Sequence, residues 1–524
     1  MSTLSFEQPY PSRRSPVCAS NVVATSQPLA TQAGLDALRR GGNAVDAALA
    51  AAITLTVVEP NNNGLGSDAF CILWDGDRLV GLNASGRAPA AWTPERFQGR
   101  DAMPELGWDT VTVPGAVSAW VALSQRYGAL PFATLFERAI GYAREGFQVG
   151  PKTAYYWRLA ERRLGGFAAF AEHFLPAPAA GSRFLRPDLA HALQQIAESD
   201  GESFYRGDLA RRIVDTARAA GGALCLEDLA AHRADWVEPI AQPYRHVSLH
   251  EIPPNGQGLA AQIALGILRH RSPPPADSTA AVHEEIEAMK LAIRAAFDHL
   301  ADPRAMHVSP EALLAPGMLA QLAGAIGERA AAVPPARLPV GEDTVYLAAA
   351  DSGGMMVSFI QSNYEGFGSG VVIPGTGIAL QNRGRGFVLD ADHPNCVAPG
   401  KRPFHTIIPG FVCDADGAPR LAFGVMGGHM QHQGHVQMVR RIFDHQQNPQ
   451  AASDAPRWHV YPDYSVGLET GFPEAVAEAL GDRGHAVRYE PLEHVFGGAQ
   501  LILRTEHGYV AGSDHRKEGQ AAGF

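Results

Sequence analysis

Between Val333 and Asp343 the chain reads VPPARLPVGED, and it runs directly into the apolar stretch TVYLAAAD that opens at Thr344. Proline lacks a backbone N–H and has a fixed φ, so this approach suits an exposed connection better than a helix or a central strand. The apolar run ends at Asp351-Ser352-Gly353-Gly354 and is answered by a second one, MMVSFIQS. Two such runs joined by a glycine-containing tight connection predict a β-hairpin over 344–363. The fold must then contain a strand that begins with Thr344 immediately after a breakable loop. Cutting the 343–344 bond would free an α-amine beside the Thr344 hydroxyl, so that nucleophile and base sit on one residue. A β-branched residue opening a strand is also what strand propensity alone would put there. On this segment by itself the structural and the catalytic readings both stand.

The remaining sequence narrows the class. Its 524 residues suffice for one large unit or two domain-sized ones. Net charge is −11 without long single-sign runs, which gives no reason to expect a nucleic acid or an anionic membrane as partner. Five cysteines lie scattered and without CxxC spacing, which fits a reducing compartment and disfavours a disulfide framework or a zinc site. The first residues, MSTLSFEQPYPSRRSP, show no apolar signal region, and the longest apolar stretch, Ala47 to Val58, is too short to span a bilayer. A cytoplasmic location is expected.

Residues 20–60 predict a helix pair. Pro28 suits a first turn, Gly41-Gly42 closes the first helix, and Asn43 caps a second one with Asp46 in its first turn. That second helix is apolar nearly all round and should be central. Another amphipathic helix is predicted over His283–His299, and helical patterning returns near 434–446. Strands and helices alternate in the first half and strands crowd in after Thr344, which predicts stacked sheets covered by helices.

Several local patterns invite a cofactor or metal and fall short. GFGSGV at 366–371 has its third glycine off the GxGxxG spacing of a dinucleotide loop and no clear helix after it, and HEEIE at 283–287 lacks the second histidine of a zinc protease. His429, His432 and His435 have ligand-like spacing, but the flanking Gly428 and Gly434 argue against a helix and no acidic ligand adjoins them. No cofactor and no metal are expected. Gly427-Gly428 after LAFGVM has a better claim, since successive glycines can turn backbone N–H groups into a cleft as an oxyanion hole does. An ordinary Gly-Gly turn reads the same way.

Motifs in one order along nearly the whole chain resemble the γ-glutamyltranspeptidase (glutathione hydrolase) family. They are GGNAVDAALAAAITLTVVEPNNNGLGSDAF, VPGAVSAW, RYGALPFATLFERAIGYAREGFQV, PPNGQG and the stretch 282–304. GEDTVY, FGSGVV, GKRPF, MGGHMQ and DAPRWH follow. The resemblance implies an α+β N-terminal-nucleophile (Ntn) hydrolase fold, an αββα sandwich of two stacked sheets between helical layers. It also implies autocatalytic cleavage between Asp343 and Thr344 into a large fragment, 1–343, and a small one, 344–524, held together as a heterodimer. By the same likeness Thr344 is the nucleophile, Ser362 the hydroxyl that polarises it, and Gly427 and Gly428 the oxyanion-hole pair.

The departures from the family bear on the substrate. Val345-Tyr346 follow the nucleophile in place of Thr-His, and the arginine that grips the substrate α-carboxylate is replaced by Ser85, with Arg87 two residues on. The groups that hold the α-amino function fall on Tyr364 and on Arg385-Gly386, while the two serines after GKRP become His405-Thr406. A cation where an ammonium should bind is an electrostatic conflict. YPSRR, TSQPLATQAGLD and QNRGRGF resemble the cytoplasmic glutathione-hydrolase-like branch, whose relatives include oxamate amidohydrolases and glutaryl-cephalosporin acylases. The expected activity is hydrolysis or transfer of the acyl group of a small acidic amide, γ-glutamyl-type or related. The alternatives are an acyl group without an α-amino function and a non-catalytic scaffold. Arg87, Arg383 and Arg385 are the candidate carboxylate clamps, since arginine can bind a carboxylate with two hydrogen bonds.

Overall fold

In a computed structural model the chain is described over residues 13–332 and 343–524, so most of the proline-rich approach to Thr344 lies outside the described residues. Two seven-stranded sheets form the centre. In chain order their strands are β1 (Val17–Ala19), β2 (Val22–Thr25), β3 (Asp68–Trp74), β4 (Leu79–Asn83), β5 (Asp235–Val237), β6 (Ile240–Tyr244) and β7 (Val247–Glu251). After the linker come β8 (Asp343–Ala350), β9 (Met356–Tyr364), β10 (Gly410–Asp414), β11 (Pro419–Met426), β12 (Gly498–Thr505), β13 (Gly508–Ser513) and β14 (Gln520–Gly523). One sheet has the order β1-β13-β12-β11-β10-β7-β6 and the other β14-β2-β8-β9-β3-β4-β5. The helices that matter for the site are α1 (Pro28–Arg39), α2 (Ala44–Val58), α3 (Ala116–Tyr127), α4 (Gly258–Leu268), α5 (Thr279–Phe297) and α6 (Met430–Phe443).

Side chains alternate across a strand, and β8 separates its two faces cleanly. Val345, Leu347 and Ala349 join the core beneath α1, α2 and α3. Tyr346, Ala348 and Ala350 instead meet Phe411, Ala422, Met426 and Ile502 of the other sheet. The opposite face of that second sheet, with Leu249, Val412, Phe423 and Leu501, packs under α4, α5 and α6. Three apolar layers between four structural ones give the expected αββα sandwich, and β8 lies in the middle of it. Tyr346, one of the departures noted above, is a core residue: its hydroxyl pairs with Ser358 at 2.8 Å, and Ser358 donates to the Phe423 carbonyl of the facing sheet at 3.3 Å.

The local signals account for the helix pair. Pro28 opens α1, and Asn43 caps α2 through Val45 and Asp46 while Asp46 answers its backbone N–H, a reciprocal capping box. Every residue of α2 is buried. The stretch from His429 to His435 needs a correction, because it forms the start of α6 despite its glycine. A Cβ on Gly434 would come within 2.6 Å of the Val425 side chain, so the missing side chain lets the helix lie close on β11. Among the described residues no helix is long and apolar enough to cross a membrane.

Burial leaves a titration signature. It pushes His232, His459 and His485 down to about 3 and His250 to about 4, while it raises Glu59 and Asp68 to about 7. Below about pH 6.5 the unfolded chain protonates histidines that the folded one keeps neutral, so these four favour unfolding on acidification; the two carboxyls oppose it between about pH 7 and 4. Histidines prevail. Stability should fall from pH 7 to pH 5, read as a lower urea midpoint, and His459→Gln should shrink that difference by about 1–2 kcal/mol.

Candidate active site

Thr344 stands where β8 loses its regular pairing. Asp343 pairs with Tyr364 and Val345 with Gln361, so Thr344 faces two residues of β9, Ser362 and Asn363. Such a bulge re-aims side chains. Thr344 is buried, and its hydroxyl lies 3.4 Å from Ser362 Oγ and 3.3 Å from the amide nitrogen of Gln431. Ser362 Oγ in turn accepts the Tyr364 N–H at 2.7 Å, a local side-chain turn next to the positive φ of 80° at Tyr364. Of Asp343, the other side of the expected scission, the backbone alone is described, as a strand residue.

Across from this, β11 ends at Met426 and the chain turns through Gly427 and Gly428, with φ of 109° and 56°. The Gly427 carbonyl accepts from Met430 N at 2.8 Å. In a trans peptide C=O and N–H point opposite ways, so the Gly428 N–H is directed away from α6. It lies at the positive end of that helix dipole, a setting that favours a developing negative charge. The Gly428 carbonyl is bound by Gln257 Nε2 at 2.8 Å, and the same nitrogen binds the Thr406 carbonyl. Gln257 is held by His432 Nδ1 at 2.9 Å, and His435 Nδ1 by Glu251 at 2.6 Å. These histidines therefore support the site, and their acidic partner Glu251 is remote in sequence.

The three candidate arginines separate by their partners. Arg87 is one-third exposed and is held by Asp302 at 3.3 Å and Asp235 at 3.4 Å, outside the Thr344 network. Arg385 is bound between Glu365 and Glu105, and Glu365 is bound again by Arg163 at 2.5 Å. Arg383 is fully buried. Its Nη1 donates to Thr406 Oγ1 at 2.8 Å and its guanidinium carbon lies 4.6 Å from the Tyr364 ring centre, but Nε and Nη2 have no hydrogen-bond partner among the described residues. Two desolvated guanidinium donors without acceptors are costly unless something anionic arrives. Burial holds the guanidinium down to about 10, against the pull of nearby Asp68.

His405 lies on that side too. Its Nδ1 accepts the Ile407 N–H at 3.3 Å, so the ring proton is on Nε2, which donates to Asp68 Oδ2 at 3.2 Å. Burial keeps His405 well below the usual imidazole range, with Arg383 and Arg402 adding to the effect. Ser85 bonds Asn83 at 2.8 Å within the neighbouring turn.

Followed from partner to partner, the contacts close on themselves: Thr344, Ser362, Tyr364, Arg383, Thr406, Gln257, Gly428, Gln431 and back to Thr344. Gln257, Gln431 and Asp68 were not singled out from the sequence. Their residue types are common, and the only pointer to them was position, inside PPNGQG, MGGHMQ and GLGSDAF.

The model of the family described as Gamma-glutamyltranspeptidase matches residues 30–524. The chain is 36% identical over 529 residues to the glutathione hydrolase-like YwrD proenzyme of Bacillus subtilis (strain 168), covering 98% of this chain and 100% of that protein. It is 37% identical over 516 residues to the oxamate amidohydrolase proenzyme of Klebsiella pneumoniae, with 95% and 97% covered. Among solved structures, a cephalosporin acylase from Bacillus halodurans superposes with a TM-score of 0.96 at 47% identity, covering 100% of this chain and 99% of that one.

The glycine turn can be tested on its own. A Cβ at Gly427 would lie 2.9 Å from the Gly497 backbone and would sit at a φ that L-residues rarely adopt. Gly427→Ala should cost about 1–3 kcal/mol of stability, seen as a lower urea midpoint.

Proposed function

The chain belongs to the γ-glutamyltranspeptidase family, and from that premise we propose that it is a self-processing amidohydrolase in which Thr344 is the nucleophile and the acyl group carries a carboxylate held by Arg383. Ntn-hydrolase chemistry of the amidohydrolase kind is common to the family and to the relatives above. The reading is carried by one observation: the Thr344 hydroxyl lies between Ser362 and Gln431 on the residue that scission at 343–344 would make N-terminal.

Maturation follows from that position. Thr344 Oγ attacks the Asp343 carbonyl carbon, the C–N bond breaks, and the acyl group passes from nitrogen to oxygen as an ester. Water then cleaves the ester, leaving a carboxylate on Asp343 and a free amine on Thr344. In turnover that amine takes the hydroxyl proton as Oγ attacks the substrate amide and returns it to the departing amine. The Gly427-Gly428 turn would receive the oxyanion. Both relatives are named as proenzymes, which supports processing. The fragments 1–343 and 344–524 would stay together as a heterodimer, because β8 of the small piece is hydrogen-bonded to β2 of the large one and α2 packs over it.

Arg383 supports an acyl group ending in a carboxylate, such as an oxamate-like or glutaryl half-amide. The named activity of the Klebsiella protein points the same way, since oxamate is an amide that carries a carboxylate. A γ-glutamyl group needs an acceptor for its ammonium, and Glu365 is already engaged by Arg163 and Arg385. That prior engagement disfavours the α-amino group, while Thr344 retained beside the glycine turn disfavours a non-catalytic scaffold. All five cysteines are free, which supports a cytoplasmic address.

Mass spectrometry of purified protein should find two fragments divided before Thr344, and Thr344→Ala should remain one chain without activity. An intact single chain with full activity overturns the mechanism. Arg383→Gln should still be processed but lose about 10- to 100-fold in kcat/KM toward oxamate or glutaryl amides. If γ-glutamyl anilide is the better substrate by a wide margin, the assignment of Arg383 fails.

A further inference from the structure

Gln431 touches the nucleophile, and its orientation follows from its other contact. It lies fully buried in the first turn of α6, where Oε1 accepts the Ile408 backbone N–H at 3.0 Å. A backbone N–H can only donate, so the side-chain atom facing it must be the carbonyl oxygen. The amide NH₂ is thereby turned toward Thr344, 3.3 Å from Oγ1. Ile408 is itself completely buried, so no water competes for that N–H and the amide does not gain by flipping. The Gln431 backbone N–H, bonded to the Gly428 carbonyl at 3.3 Å, ties the same residue to the glycine turn.

We propose that Gln431 is a catalytic residue that donates a hydrogen bond to the Thr344 oxygen and stabilises the negative charge that builds there. The inference rests on Thr344 being the nucleophile. The demand is greatest when the ester on Thr344 breaks. The Thr344 α-amine takes a proton from water as water's oxygen bonds to the acyl carbon; the C–Oγ bond then opens, its electron pair goes to Oγ, and the α-ammonium gives that proton to the oxygen. The NH₂ of Gln431 keeps its own protons throughout; it lowers the energy of Oγ as a leaving group. One step of this kind ends self-processing and another ends each catalytic cycle, so a single amide serves both. Ser362 sits on the other side of Oγ1 as a hydroxyl that can donate or accept, whereas the Gln431 NH₂ can only donate to that oxygen.

Gln431→Glu isolates the role. Once ionised, at alkaline pH, the new carboxylate still accepts from Ile408 but offers no proton to Oγ1, so the kinetics are compared there. With glutaryl p-nitroanilide, kcat and KM should fall together by about 10- to 100-fold with kcat/KM changed far less, p-nitroaniline should appear as a burst, and an acyl adduct on Thr344 should accumulate in the mass spectrum. Relative to the unaltered enzyme, activity should recover as the pH is lowered and the new carboxyl regains a proton to donate. Gln431→Met, of similar length and uncharged, should show the same loss without that recovery and guards against a folding failure of the first variant. Unaltered kcat in a processed Gln431→Glu or Gln431→Met protein overturns the proposal. Should the unaltered protein itself be unprocessed and inert, it is the Thr344 reading that falls.

Discussion

Contact between the two sheets at the start of β8 is the constraint on which the site depends. The Thr344 hydroxyl meets Ser362 from its own sheet and Gln431 from the helix that follows the opposite sheet, so it is positioned only when both sheets are stacked in register. The bulge facing Thr344 has the same origin. One residue set against two on β9 draws the strand end out of its ladder, and Ser362, out of register with β8 though still paired with Asp68 of β3, accepts the Tyr364 N–H. A regular hairpin would have left Thr344 as another packing residue.

Charge explains the rest of the site. Buried ions persist in proteins when they are paired, and most here are. Arg385 and Glu365 sit in a chain of carboxylates and guanidiniums, and Arg87 shares Asp302 and Asp235 with its neighbours. Arg383 stands apart because two of its nitrogens face no acceptor among the described residues. Asp68, the nearby anion, is itself pushed up to about 7 by burial and already receives Gly86, Gly115 and His405. An anionic acyl group would complete what the protein leaves incomplete. Such a site discriminates through its unsatisfied groups, since a ligand without the matching charge leaves them desolvated and unpaired.

Much of the architecture was legible along the chain. Pro28, Asn43 with Asp46, and the apolar run to Val58 encode the α1–α2 pair through capping and periodicity, which are properties of neighbouring residues. The hairpin around Asp351 and the strand start at Thr344 were equally local. The helix beginning at Met430 was not, because Gly434 lowers its intrinsic propensity, and only Val425 on an adjoining strand shows why a glycine is needed there. His435 reads as a possible metal ligand until Glu251, 184 positions away, is found beside it.

By itself, then, the sequence determined the elements, the strand-opening threonine behind its proline-rich approach, and the glycine pair, since each depends on residues adjacent in the chain. Only the tertiary structure decided which arginine keeps open donors, which glutamine faces Thr344 and which histidines are spoken for. Those outcomes turn on who meets whom across two sheets, and three arginines alike in charge and composition differ only in the neighbours that folding supplies.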